Sequence, residues 1–198
     1  LRGNATLTYD AYLTNGLGDG VVMNGEGRTL LAAGKHEEQF AEDNNGVPAF
    51  SARLALQRRG VGELGISHYR GLYNSFRVDG VEVDDRRGLS ITALDLATSL
   101  GAVALRGEVA AVRLDTPESL TELFGDRQWG AHVDASVPVW RPRMFGLRDA
   151  VVSAVMRAEY VDYNVGTFAS TSRPIRDDVL AFVPGVTFRP VPGTVFKF

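Results

Sequence analysis

His132, Asp134 and Ser136 alternate along QWGAHVDASVPVW at 128–140 and supply the residue types of a nucleophilic triad. Their spacing argues against that chemistry. Residues i and i+2 of an extended strand share a face but stand roughly 7 Å apart, too far for the direct hydrogen bonds that activate a serine. The alternation itself is the stronger signal. Trp129, Ala131, Val133, Ala135, Val137 and Val139 fall on one parity, and Gln128, Gly130, His132, Asp134, Ser136 and Pro138 on the other. In a soluble sandwich the apolar parity meets a core, whereas in an outer-membrane barrel it meets lipid and the polar parity lines a wet lumen.

Other chemistries find little support. Cysteine is absent, which excludes disulfide scaffolds, thiolate metal sites and thiol catalysis. The glycines of GLGDG at 16–20 lack the strand-to-helix context of a phosphate loop. No cofactor, metal site or enzymatic activity is expected. The chain of 198 residues is 44 % hydrophobic with a mean hydropathy of −0.06, and it contains no apolar run of the roughly 18 residues that a transmembrane helix requires. Its net charge of −3 and the absence of a basic run make nucleic acid an unsuitable partner. Nineteen of the 21 basic residues are arginines, the exceptions being Lys35 and Lys197.

The elements that must position any functional side chain are strands. Period-two patterns with Gly, Pro and Asp punctuation predict about nine, near 4–14, 48–58, 62–72, 88–98, 101–114, 128–140, 149–163, 178–190 and 193–198. Most exceed the five or six residues usual in globular sheets and suit a tilted membrane crossing. The connections alternate in length. Residues 15–47, 73–87, 115–127 and 164–177 form long loops, while 59–61, 99–100, 141–148 and 191–192 form short turns, as in an up-and-down barrel. The long loops are net acidic; Arg58, Arg59, Arg141, Arg143 and Arg148 gather at the short turns and their edges. Within the first loop, RTLLAAGKHEEQFAED at 28–43 is compatible with a short helix that enters the pore or lies on its rim, and equally with a disordered or partner-contacting loop.

Parity then assigns the faces. Asp10, Arg53, Glu63, Arg106, Glu108, His132, Asp134, Arg157, Glu159, Arg189 and Lys197 are the expected pore-lining set, since an Arg near the lipid midplane would cost roughly 2–4 kcal/mol. Without His132 the set is five acids and five bases, so the wall is balanced, and a cross-strand ion-pair network competes with solute selection as its role. Parity slips near Ala110, in 101–114, and within 88–98 are read as bulges. Trp129, Trp140, Tyr160, Phe188, Phe196 and Phe198 lie near strand ends, where aromatic girdles would mark the two lipid interfaces.

Several stretches go beyond periodicity. DNNGVPAFSARLALQRRGVGELGISHYRG at 43–71, with its inward Arg and LGxSxYxG strand, resembles the hairpin after the first long loop of outer-membrane porins of the phosphate-selective porin O and P family. FGLRDAVVSAVMRAEYVDYN at 145–164 and VLAFVPGVTFRPVPGTVFKF at 179–198 resemble that family's late hairpins, and YDAYLTNGL at 9–17 extends the likeness to about half the chain. The resemblance implies an antiparallel up-and-down transmembrane β-barrel of roughly 16 strands, commonly a homotrimer, passing small solutes or ions by diffusion across a bacterial outer membrane. Nine strands do not fit the even-number rule of such barrels, so further sequence is expected before Leu1, after Phe198 or both; the alternative is that Phe198 is the C-terminal aromatic of such proteins. Anion capture needs convergent donors free of carboxylates. Here Arg106 and Arg157 each sit two residues from a same-face Glu, so phosphate selectivity is not expected. A plugged structural or partner-binding barrel and a soluble all-β binding domain are the rival readings.

Overall fold

The computed structural model describes residues 5–35, 45–142, 147 and 149–198. Among these the chain is all-β. The strands are β1 (Ala5–Thr14), β2 (Ala49–Arg58), β3 (Gly62–Leu72), β4 (Arg77–Val78), β5 (Val81–Glu82), β6 (Gly88–Leu100), β7 (Val103–Leu114), β8 (Arg127–Trp140), β9 (Val151–Asp162), β10 (Asp178–Val191) and β11 (Thr194–Lys197). The short β4–β5 hairpin stands alone; the other nine strands form one antiparallel sheet in chain order, an up-and-down meander. Alternate connections of a meander emerge at the same end of its sheet. The loops 15–48, 73–87, 115–126 and 163–177 therefore share one end, and the tight turns share the other. No helix among the described residues is long and apolar enough to cross a membrane, which says nothing of strands.

The nine expected strands fall within a few residues of the observed ones. One turn moves: β6 runs on to Leu100, and the reversal falls on Gly101 and Ala102 because Gly101 takes φ +60°, a conformation that costs glycine little. Arg143 and Arg148 of the 141–148 connection lie outside the described residues.

Register divides the sheet into two faces. Rows of directly paired residues run across it, such as Asp10–Arg53–Ser67–Ala93 and Glu63–Ala97–Arg106–Asp134–Arg157 on one face. On the other run Leu7–Leu56–Leu64–Leu96 and Tyr9–Leu54–Ile66–Leu94–Val109. The leucines are exposed: Leu7, Leu56 and Leu64 keep 56 %, 46 % and 56 % of their surface. These are termed the charged face and the apolar face.

The main buried cluster is not under the apolar face. Val21 and Val22 of the first long loop pack with Tyr73, Leu89 and Leu114, joined by Leu17, Leu31, Ile91 and Phe124. Leu89, Ile91, Val112 and Leu114 share parity with Asp95 and Arg106, so the loop covers the loop end of the charged face. This overturns the two expected bulges. β6 and β7 pair without a register shift from Leu89–Leu114 to Leu100–Val103. Their periodicity blurs because the charged face becomes apolar where the loop lies on it. The bulges occur instead at Pro138–Trp140, in the β8–β9 pairing, and between Phe188 and Val191, in the β10–β11 pairing.

Candidate pore-lining face

The first long loop packs on the loop end of the charged face. Its described part holds two 3-10 turns, Asp19–Val21 and Leu31–Gly34, in place of the helix considered at 28–43; residues 36–43 of that stretch lie outside the described residues. The turns can touch because Gly20 and Gly34 lack side chains: a Cβ on Gly20 would sit 2.1 Å from the Ala33 carbonyl oxygen. Long-range contacts hold the loop. Gln128 Nε2 donates to the Thr29 carbonyl at 2.8 Å, Arg28 pairs with Asp177 at 3.1 Å, and the Ser75 hydroxyl donates to the Asp19 carboxylate. The Arg28 guanidinium also lies 5.1 Å from the Tyr163 ring centroid. Between loop and sheet remains a cavity of about 650 Å³, lined among others by Leu17, Leu31, Lys35, Arg53, Tyr69 and Ile91.

Deeper on the same face lie two charge clusters. Arg53 on β2 reaches across β3: its Nη2 donates to Glu63 Oε1 at 2.8 Å and to Asp95 Oδ1 at 2.6 Å, and its Nε to Asp95 Oδ2 at 3.3 Å. The crossing depends on Gly65, where a Cβ would stand 2.6 Å from Arg53 Nη2 and 2.3 Å from Asp95 Oδ2. In the second cluster Arg157 grips Asp134 with two parallel bonds, Nε–Oδ1 at 2.7 Å and Nη2–Oδ2 at 2.9 Å. Glu159 Oε2 stands 3.7 Å from Arg157 Nη1, and His132 Nε2 3.9 Å from Asp134 Oδ2. Arg106 is the direct cross-strand partner of Asp134, and Glu108 of His132. Cation and anion thus alternate across β7, β8 and β9.

All eleven residues singled out in the sequence share this face by register. The structure brings Arg53 and Glu63 together, and His132, Asp134, Arg157 and Glu159 together, with Arg106 and Glu108 in register beside them. Asp10 sits opposite Arg53. Arg189 and Lys197, paired with Val151 and Thr187, stand apart towards the turn end. Asp95 was missed. Its signal, Leu94–Asp95–Leu96, is plain, but Leu89 and Ile91 confuse the parity of that strand. No hydrogen bond among the described residues joins Ser136 to His132.

The chain matches no protein-family model, no curated protein and no solved structure.

The six aromatics all lie on the apolar face. Trp129 and Tyr160, with ring centroids 4.9 Å apart, occupy its loop end. Phe188 stacks on Phe196 at 6.4 Å at the turn end, where the bulge returns Trp140 to the apolar face opposite Val152. Phe198 exchanges backbone hydrogen bonds with Val186 on the same face. Tyr160 and Val152 are eight residues apart on β9, roughly 27 Å along a strand.

Further loop contacts lie beyond the strands. The Tyr73 hydroxyl donates to the Asp115 carbonyl at 2.6 Å, and burial pushes the phenol up to about 12. The 73–87 loop closes on Asn74, whose side chain donates to the Asp85 carbonyl and accepts from the Arg87 amide. Arg87 beside Asp84 holds that carboxyl below its ordinary value, and Arg86 with Arg77 does the same for Glu82.

Proposed function

We propose that this chain forms wall and mouth of an outer-membrane β-barrel porin, through which small hydrophilic solutes or ions diffuse past the charged face. The observation that carries the reading is the sheet's inverted dressing. Among the described residues the loops that pack on the sheet cover the loop end of the charged face, while Leu7, Leu54, Ile66, Leu94 and Phe182 on the other face are exposed. A water-soluble sheet would bury that face, since each large apolar side chain left exposed forgoes roughly 1.5–3 kcal/mol, and soluble monomers rarely expose apolar patches beyond a few hundred Å². Lipid reverses the sign. The aromatic rows at both ends and strands of ten to fourteen residues support the same reading.

Motif residues behind the likeness to the phosphate-selective porin O and P family have structural work here. Gly65 makes room for Arg53, and Tyr69 Oη accepts the Leu17 amide at 3.1 Å, tying loop to sheet. The two charge clusters of this face hold paired charges rather than a ladder of free cations. Arg53 and Arg157 are both engaged by carboxylates, which argues for weak selectivity rather than phosphate capture. A homotrimer remains the assembly that the likeness suggests.

The loop layer over the charged face favours one other reading, a plugged barrel that inserts without conducting. Conductance of the full chain in a planar lipid bilayer under a salt gradient separates the two. Stepwise conductance with a small reversal potential is the expected result; inserted but silent protein would replace the porin with a plugged barrel.

A further inference from the structure

The loop end of the apolar face turns polar, and one row there carries three arginines. At the loop end, register aligns Arg70 of β3, Ser90 of β6, Arg113 of β7 and Arg127 of β8 as successive cross-strand partners. All three arginines are exposed. They lie on the face opposite Arg53 and Arg157, so they cannot act on a solute there. Arg113 and Arg127 are directly opposed, a like-charge pairing that costs stability unless an anion sits between. Among the described residues no carboxylate pairs with Arg70 or Arg113. Arg127 has only Asp126, at 3.7 Å with both side chains more than half exposed. Asp115, two residues from Arg113, is turned to the Gly88 amide at 2.9 Å. Asp162 and Asp178 belong to the neighbouring row, opposite Trp129.

Depth identifies the occupant. Arg127 is one same-face step beyond Trp129, about 7 Å along the strand. A tryptophan at the hydrocarbon boundary puts that step within the polar headgroup layer, some 5–7 Å thick. We propose that Arg70, Arg113 and Arg127, with the Ser90 hydroxyl between them, bind the phosphate of a membrane lipid at the loop-side interface. Neighbouring strands are about 4.8 Å apart, so the arginines span roughly 15 Å, the width of one or two headgroups. Guanidinium forks suit phosphate oxygens, and the site holds the barrel's loop end at a fixed depth. The inference rests on the membrane reading above.

The test uses the full chain with Trp140→Phe, which leaves Trp129 as the sole tryptophan. The variant is reconstituted into vesicles of phosphatidylcholine carrying a minor fraction of either brominated phosphatidic acid or brominated phosphatidylcholine, whose bromines quench a tryptophan they touch. Phosphatidic acid should be enriched beside Trp129 by about fivefold for each arginine engaged. The enrichment should disappear with Arg70→Gln, Arg113→Gln and Arg127→Gln together and be largely kept by the three Lys replacements. Should the triple Gln variant lose its β-sheet circular dichroism, Arg113→Gln alone decides, because it relieves a like-charge pair and should fold. Equal quenching by both lipids would overturn the site and leave the membrane reading standing. Quenching by neither would sink both. Enrichment abolished by added inorganic phosphate would assign the arginines to free anion, and enrichment unchanged in the Gln variants would remove them from the site.

Discussion

Arg53 is the residue on which the charged face turns, since among the described residues it alone joins three strands through two carboxylates. Its side chain and those of Glu63 and Asp95 keep 34 %, 32 % and 28 % of their surface, so water screens the cluster without dissolving it. Arg53→Gln leaves two carboxylates facing each other. A loss of about 1 kcal/mol in stability is expected, read from the urea midpoint of the reconstituted protein. The reversal potential should move towards cations at the same time. Arg157 offers the contrast: its fork on Asp134 is flanked by Glu159 and by the register partner Arg106, so charge removed there is partly replaced. Arg53 should therefore have the larger effect on selectivity, although the two look alike in sequence.

At the scale of elements, strands were legible and loops were not. Side-chain alternation is local and survives translation into sheet, which is why nine strands and the face of all eleven polar residues follow from parity. Parity fails where a face changes neighbour along its length, as Leu89, Ile91 and Leu114 do beneath the first loop. It also fails at the Pro138–Trp140 bulge, which a period-two reading places elsewhere. The fold of the loop itself hangs on the long-range contacts of Gln128, Asp177 and Ser75, and none of these leaves a periodic mark. Gln128→Ala removes the donor to the Thr29 carbonyl and should loosen the loop, raising open-state conductance and exposing residues 22–30 to protease. The 73–87 loop should respond to pH. Arg87 and the Arg77–Arg86 pair lower the folded-state pKa of Asp84 and Glu82, so their contribution is complete above the ordinary carboxylate range near 4 and is lost as pH falls through the depressed values. Hydrogen exchange at the Tyr73 and Arg87 amides, corrected for intrinsic rates, should show constant protection from neutral pH down to about 5 and a fall below about 4.

For the whole molecule the question is which solvent each face meets, and one pair of substitutions puts it directly. Met156 lies midway along β9 between the rows of Tyr160 and Val152, on the apolar face and 46 % exposed. Ala181 lies on the charged face of the adjacent β10, opposite Glu159. In water an Arg at either position costs little, and on an exposed apolar face it would aid solubility. In a bilayer the two diverge. Met156→Arg carries a guanidinium to the middle of the hydrocarbon and should cost roughly 2–4 kcal/mol, whereas Ala181→Arg gains Glu159 as a cross-strand partner and should be neutral or slightly stabilising. Folding into vesicles, followed by the urea midpoint, reads both. Equal and small effects would mean that water reaches both faces, which would return the chain to the soluble all-β class despite its aromatic rows. The predicted asymmetry cannot arise from side-chain size or strand propensity, because each substitution places the same arginine on a long, well-paired strand of one sheet.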